Sequence, residues 1–130
     1  MGATAGWTTQ KEIARWSEPL VADHIYPEYE RYFGGKNELT EELGRQHCRV
    51  WRNLLNGEAL YVKSARRNLL KLAHTVNLDD SALDAIDAGI FNDLLDVILR
   101  RCHGSRDKAR LDGMTLVHAA SMLGEIRKAA

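Results

Sequence analysis

ELTEELGRQHCRVWRNLL, residues 38–55, is the stretch whose periodicity decides the fold class. Leu43, His47, Val50, Trp51, Leu54 and Leu55 fall at i, i+4, i+7, i+8, i+11 and i+12. That is one face of a 3.6-residue helix, whereas a strand would alternate faces at every residue. Asn37 or Thr40 is placed to cap the start, and Asn56-Gly57 reads as a turn. The spacing therefore predicts a helix over 38–55 with a histidine inside its apolar stripe.

The same period extends in both directions. Before it, a helix is expected from about Thr9 to Phe33, with Ile13, Trp16, Leu20 and Ile25 inward and Gly34-Gly35 as its end. Pro19 and Pro27 should bend or break it. After it, a helix from Glu58 to Val76 carries Val62, Ala65, Leu69, Leu72, Ala73 and Val76 on its inner face. Lys63, Arg67 and Lys71 recur on another side with Arg66 beside them, the pattern of a solvated face. A fourth helix, 81–101, turns Leu83, Ile86, Ile90, Leu94, Val97 and Ile98 inward and lines Asp80, Asp84 and Asp87 along an outer side. There acids near a helix start suit its dipole. A fifth, 105–128, is expected to face inward with Leu111, Met114, Val117 or His118, Ser121 and Ile126. No segment shows sustained period-2 alternation, so the expected class is all-α, a bundle of five to six helices.

The chain has 130 residues, of which 45% are hydrophobic, enough for one domain with a sizeable core. Residues 1–7 are expected as a disordered lead and 8–130 as a single domain. Eighteen basic side chains balance eighteen acidic ones. That argues against a general nucleic-acid binder, whose footprint is basic. No run approaches a membrane span, and no secretory leader is visible, so a cytoplasmic protein is expected. The two cysteines, Cys48 and Cys102, make no disulfide framework. Each neighbours a histidine, yet adjacent residues on a helix point about 100° apart and cannot readily share one ion. Two reduced thiols are the expectation.

No phosphate-binding loop, dinucleotide turn, nucleophile elbow or His-Glu-x-x-His motif is present, and no catalytic dyad can be located, so an enzyme is not expected. His47 reads as a core or pocket histidine. His24, His103 and His118 read as surface or helix-end residues. Tyr26, Tyr29 and Tyr32 sit at i, i+3 and i+6, a spacing that suits packing.

The stretch QHCRVWRNLLNGEALYVKSARRNLLKLAHTVNLDDSAL, residues 46–83, resembles the middle of the sensor-globin family, the haem domains of globin-coupled sensors. The parts that carry the resemblance are Trp51, Leu54-Leu55, Asn56-Gly57, Arg66-Arg67 and His74, which lies seventeen positions after Gly57, with Leu78 beyond it. The resemblance implies a globin-like bundle with His74 as the proximal haem ligand. His47 would be a distal group, a gap in the alignment would bring Tyr26, Tyr29 or Tyr32 to the distal position with Tyr26 the least strained choice, and Trp51, Leu70, Leu78 and Ile90 would line the haem pocket. Lys63, Arg66, Arg67 and Lys71 would meet the propionates. A neutral imidazole on a helix can hold haem iron from one side. The implied job is reversible binding of a diatomic gas, O₂ first, with the signal passed through a helical homodimer to a signalling partner or a separate transmitter domain. The first and last helices are the ones expected to expose apolar stripes.

The sequence departs from the family in two places. Asn77 stands where the family has Ile, and an ungapped count back from Gly57 meets Leu20 and Val21 in place of the distal Phe-Tyr pair. These departures suit the alternative, a haem-free globin-like regulatory or dimerisation domain that binds an apolar small molecule or a protein partner.

Overall fold

The computed structural model describes residues 10–101 and 106–129, with side chains for all of these except 10–14, 16, 107–109, 111, 112 and 126–129. The lead, Cys102 and His103, and the side chains expected inward at 13, 16, 111 and 126, lie outside the described residues. Five helices follow one another: α1 (Gln10–Phe33), α2 (Glu38–Leu55), α3 (Ala59–Thr75), α4 (Asp80–Arg101) and α5 (Arg106–Ala129). No strand occurs among the described residues.

α1 is continuous through both prolines, so of the expected bend or break the break does not occur. Each proline removes one helical N–H, which leaves the carbonyls of Arg15 and Asp23 without their usual donors. Pro19, Pro27, Arg15 and Asp23 are all exposed, so water can satisfy those carbonyls. The buried face runs along Ser17, Val21, Ile25 and Tyr29 at four-residue steps.

Local chemistry sets the helix ends. Asn37 caps α2 reciprocally: its side chain accepts from the Thr40 N–H at 3.0 Å, and Thr40 Oγ1 accepts from the Asn37 N–H at 3.0 Å. α2 and α3 close with the same C-terminal motif. Gly57 (φ 73°) and Asn77 (φ 62°) take the left-handed position. Glu58 N–H then reaches Asn53 O at 2.9 Å, and Leu78 N–H reaches Ala73 O at 2.9 Å. Asn77 is thus the residue whose short polar side chain tolerates that backbone, and Leu78 is the buried plug beyond it. Asp79 caps α4 by accepting from Ala82 N–H at 2.9 Å.

α2 is the central helix, packed on α1, α3 and α5; α1 also reaches α4, and α4 packs on α5. Two glycines let α1 come close. A Cβ at Gly44 would stand 2.3 Å from Tyr26 Cε1, and one at Gly89 would stand 2.5 Å from His24 Nε2. Gly44→Ala is therefore expected to destabilise the domain by about 1–3 kcal/mol through overpacking against the Tyr26 ring, despite a helix-propensity gain of about 1 kcal/mol. Urea unfolding checks it, and unchanged or raised stability would contradict the packing.

α5 is turned differently from the expectation. Leu116, Ala119 and Leu123 are buried, whereas Met114, Val117, His118 and Ser121 are exposed. Apolar residues occur on both sides of this helix, so the stripe alone does not fix its rotation. Small residues at 119 and 120 permit close approach.

Candidate functional site

Four helices each send a polar side chain to one buried point. α1 supplies Tyr29, α2 supplies His47 and Trp51 one turn apart, α3 supplies Arg66, and α4 supplies Asp87. Tyr29 Oη lies 2.7 Å from His47 Nδ1, and His47 Nε2 lies 2.7 Å from Asp87 Oδ1. Trp51 Nε1–H donates to the same oxygen at 2.8 Å. Arg66 Nη1 stands 3.6 Å from Asp87 Oδ2, and its Nη2 stands 3.8 Å from Asp84 Oδ1.

These contacts assign the protons. Burial, reinforced by the negative charge of Asp87, pushes the Tyr29 hydroxyl far above its ordinary value, so it stays protonated beside His47 Nδ1. His47 Nε2 carries a proton and donates it to the Asp87 carboxylate, which can only accept. Burial alone would raise the Asp87 carboxyl. The charge and hydrogen bond of His47, the Trp51 indole and the Arg66 guanidinium outweigh that and hold it below its usual range. The order carboxylate, imidazole, hydroxyl matches a nucleophile triad. Here, however, the hydroxyl is sealed inside the core, as are His47 and Asp87. The arrangement fixes tautomer and helix register.

A carboxyl group held below its ordinary value binds protons more weakly folded than unfolded. The stability Asp87 confers is therefore complete above the unfolded value of about 3.9 and is lost as pH falls through the lower folded value. Thermal unfolding is expected at progressively lower temperature as pH drops below about 4. A midpoint unmoved across that range would contradict the assignment.

A cleft of about 290 Å³ opens beside the network, between α2, α4 and α5. Trp51, Asp87 and Leu123 are its buried parts, and Ala88, Phe91 and Ala120 add apolar wall. Asp84 and Asn92 bring polar groups to it. Its lining is mostly apolar with a few polar groups, the usual make-up of a small-molecule site.

The residues expected to hold haem are not gathered at this cleft or around one another. The His74 side chain is 57% exposed in the last turn of α3, with Nε2 at 3.0 Å from Asp80 Oδ1. It sits in solvent because α3 buries Val62, Ala65, Leu69 and Ala73, and position 74 lies about 100° beyond that stripe. Leu70 is half-buried, Leu78 plugs the α3 terminus, Ile90 is in the core and Arg67 is exposed. Tyr26 lies on Gly44, and the tyrosine that meets His47 is Tyr29. The proximal-ligand expectation therefore does not fit: no axial imidazole from position 74 faces an interior slot. Of the expected set, His47, Trp51 and Arg66 belong to the observed site. Among the described residues no three His, Cys, Asp or Glu side chains converge to hold a bare metal ion. Burial pushes the Cys48 thiol up to about 11, so it remains a thiol near neutral pH. His24, expected at the surface, is half-buried with Nδ1 at 2.9 Å from Asp93.

Two members of the network lie where the pattern does not place them: Arg66 is expected on a solvated basic face and Asp87 on an outer acidic side, and both are buried. The signal was present in each case. Arg66 stands at i+4 from Val62 and three before Leu69, and Asp87 at i+4 from Leu83 and three before Ile90. Both charges interrupt an apolar stripe, as His47 does.

Comparison with protein-family models, with curated proteins and with solved structures found no match for this chain.

Proposed function

We propose that this chain is a globin-like helical regulatory domain that works without haem. It binds a small, mainly apolar molecule in the α2–α4–α5 cleft and passes the occupancy to a second copy of itself. The observation that carries this reading is the shared floor: Trp51 and Asp87 line the cleft and also belong to the network that ties α1, α2, α3 and α4 together. A ligand that displaces either side chain acts on all four helices at once.

The route outward runs along the two helices that wall the cleft. Leu95 and Leu99 on α4, and Met114 and Val117 on α5, are exposed apolar residues on the halves adjoining their connection. They begin one turn from the cleft residues Phe91 and Ala120. On this reading these side chains form the surface through which two copies associate. Exposed apolar residues thus fall on the last helix, one of the two expected to carry them, and also on α4. No described helix is long and apolar enough to cross a membrane.

Two measurements test the reading. Hemin titration of the purified protein is expected to leave the broad absorption of free hemin unchanged, with no sharpened, stoichiometric Soret band. A stoichiometric band lost in His74→Ala would overturn it. Sedimentation velocity is expected to show a dimer that Leu99→Glu with Val117→Glu converts to a folded monomer. A monomeric wild-type chain at high concentration would remove the dimer step.

A further inference from the structure

We propose that the exposed face of α3 docks on an anionic lipid bilayer. The helix lies flat on the surface, with Leu60 and Tyr61 entering the headgroup layer at its start. The cleft between α2, α4 and α5 is lined without α3, so this surface is separate from it.

Charge and freedom single out this helix. α3 carries four bases and no acid, whereas α4 carries five aspartates against two arginines. Arg66 is the buried base, and Lys63, Arg67 and Lys71 stand exposed on one side at four-residue steps. Among the described residues these three make no ion pair. By contrast Arg31, Arg45, Arg52 and Arg100, on other helices, each hold a carboxylate. Arg49, exposed on α2, stands beside Tyr61 and adds a fourth base at the flank. Each lysine or arginine brought to an anionic surface strengthens adsorption about fivefold.

The acids around this helix lie off the face. Glu58 precedes its first turn. Glu38, Glu41 and Glu42 flank Leu72 on the α2 side, and Asp84 meets Arg66 on the α4 side. Leu72 and Arg66 are one residue, about 100° of rotation, from Lys71 and Arg67. His74, at the far end, is held by Asp80.

The apolar side chains select a bilayer among anionic surfaces. Leu60 is 80% exposed and Tyr61 66%, more than any other large apolar side chain among the described residues. Leu60 lies in line with the bases, three residues before Lys63. The phosphates of a nucleic acid give a leucine nothing to bury against, whereas acyl chains lie just below phospholipid headgroups. The stripe is the convex outer side of one helix. From Leu60 to Lys71 it runs about 16 Å, so a plane meets it along its whole length.

The test is co-sedimentation of the full chain with vesicles of phosphatidylcholine, alone or mixed with phosphatidylglycerol in equal parts. Binding is expected only to the anionic vesicles, with an association constant on the order of 10³ M⁻¹ in lipid, and is expected to vanish in about 0.5 M salt. Lys63→Gln, Arg67→Gln and Lys71→Gln combined should weaken it about 100-fold, and Leu60→Ser alone about fivefold. Arg15→Gln, Arg31→Gln and Arg110→Gln combined remove the same charge from α1 and α5 and should leave binding unchanged. Far-UV circular dichroism checks that each variant is folded. A wild-type chain that does not pellet with anionic vesicles overturns the proposal, as does an equal loss in the charge-matched variant. Full binding by Leu60→Ser, together with equally tight binding of polyglutamate or oligothymidylate to the wild-type chain, assigns the face to an acidic polymer and overturns the bilayer.

Discussion

Replacing Asp87 with alanine is expected to lower the unfolding free energy by about 3–5 kcal/mol, the range for removing one partner of a buried ion pair. Asp87 accepts two hydrogen bonds and faces a buried cation at the same time. The His47 Nε2–H, the Trp51 indole N–H and the Arg66 guanidinium all turn toward it. Arg66 is 4% exposed, and among the described residues its Nε and Nη1 make no hydrogen bond. Without Asp87 it becomes a buried cation facing only Asp84. A domain of this size has about 5–15 kcal/mol of total stability, so the variant should be largely unfolded in mild urea. Arg66→Met placed in the same chain is expected to restore part of the loss, because it removes the stranded charge. A loss below about 1 kcal/mol in the single variant would show the network to be incidental.

Trp51→Ala should cost a similar amount, about 3–5 kcal/mol, for a different reason. The ring is among the largest fully buried side chains, at the centre of the helix that touches α1, α3 and α5. Its loss removes core contacts and one of the Asp87 hydrogen bonds, and it merges the cleft with the cavity left behind. Trp51→Phe keeps most of the burial and loses only the indole donor, so it should cost about 1–2 kcal/mol. Denaturant midpoints for the pair separate packing from hydrogen bonding. Equal losses in both variants would contradict the assignment of most of the cost to volume.

The helices were legible because their signals are local. The six-residue stripe of α2 is buried at every position, and α2 runs over the residues its spacing predicts. Prolines in α1 misled because the cost of a missing donor depends on whether water reaches the orphaned carbonyl, which only burial decides. α5 misled because Met114 and Val117 on one side and Leu116 and Leu123 on the other offer two apolar faces. The site was less legible. A charged residue at helical spacing can lie outside a stripe or interrupt it, and Asp87 and Arg66 gain their positions from partners 40 and 36 residues away in sequence or on another helix. His74 shows the converse. Its distance from Gly57 suggested a ligand, but the stripe of its own helix turns it outward, beside Asp80.

The sealed imidazole of His47 is the centre of the account, and its nitrogens can be observed directly. A long-range ¹H–¹⁵N correlation spectrum of the histidine rings is expected to show His47 Nε2 protonated and in slow exchange with solvent. A bare Nε2, or an imidazole proton that exchanges as fast as those of the exposed His74 and His118, would contradict it.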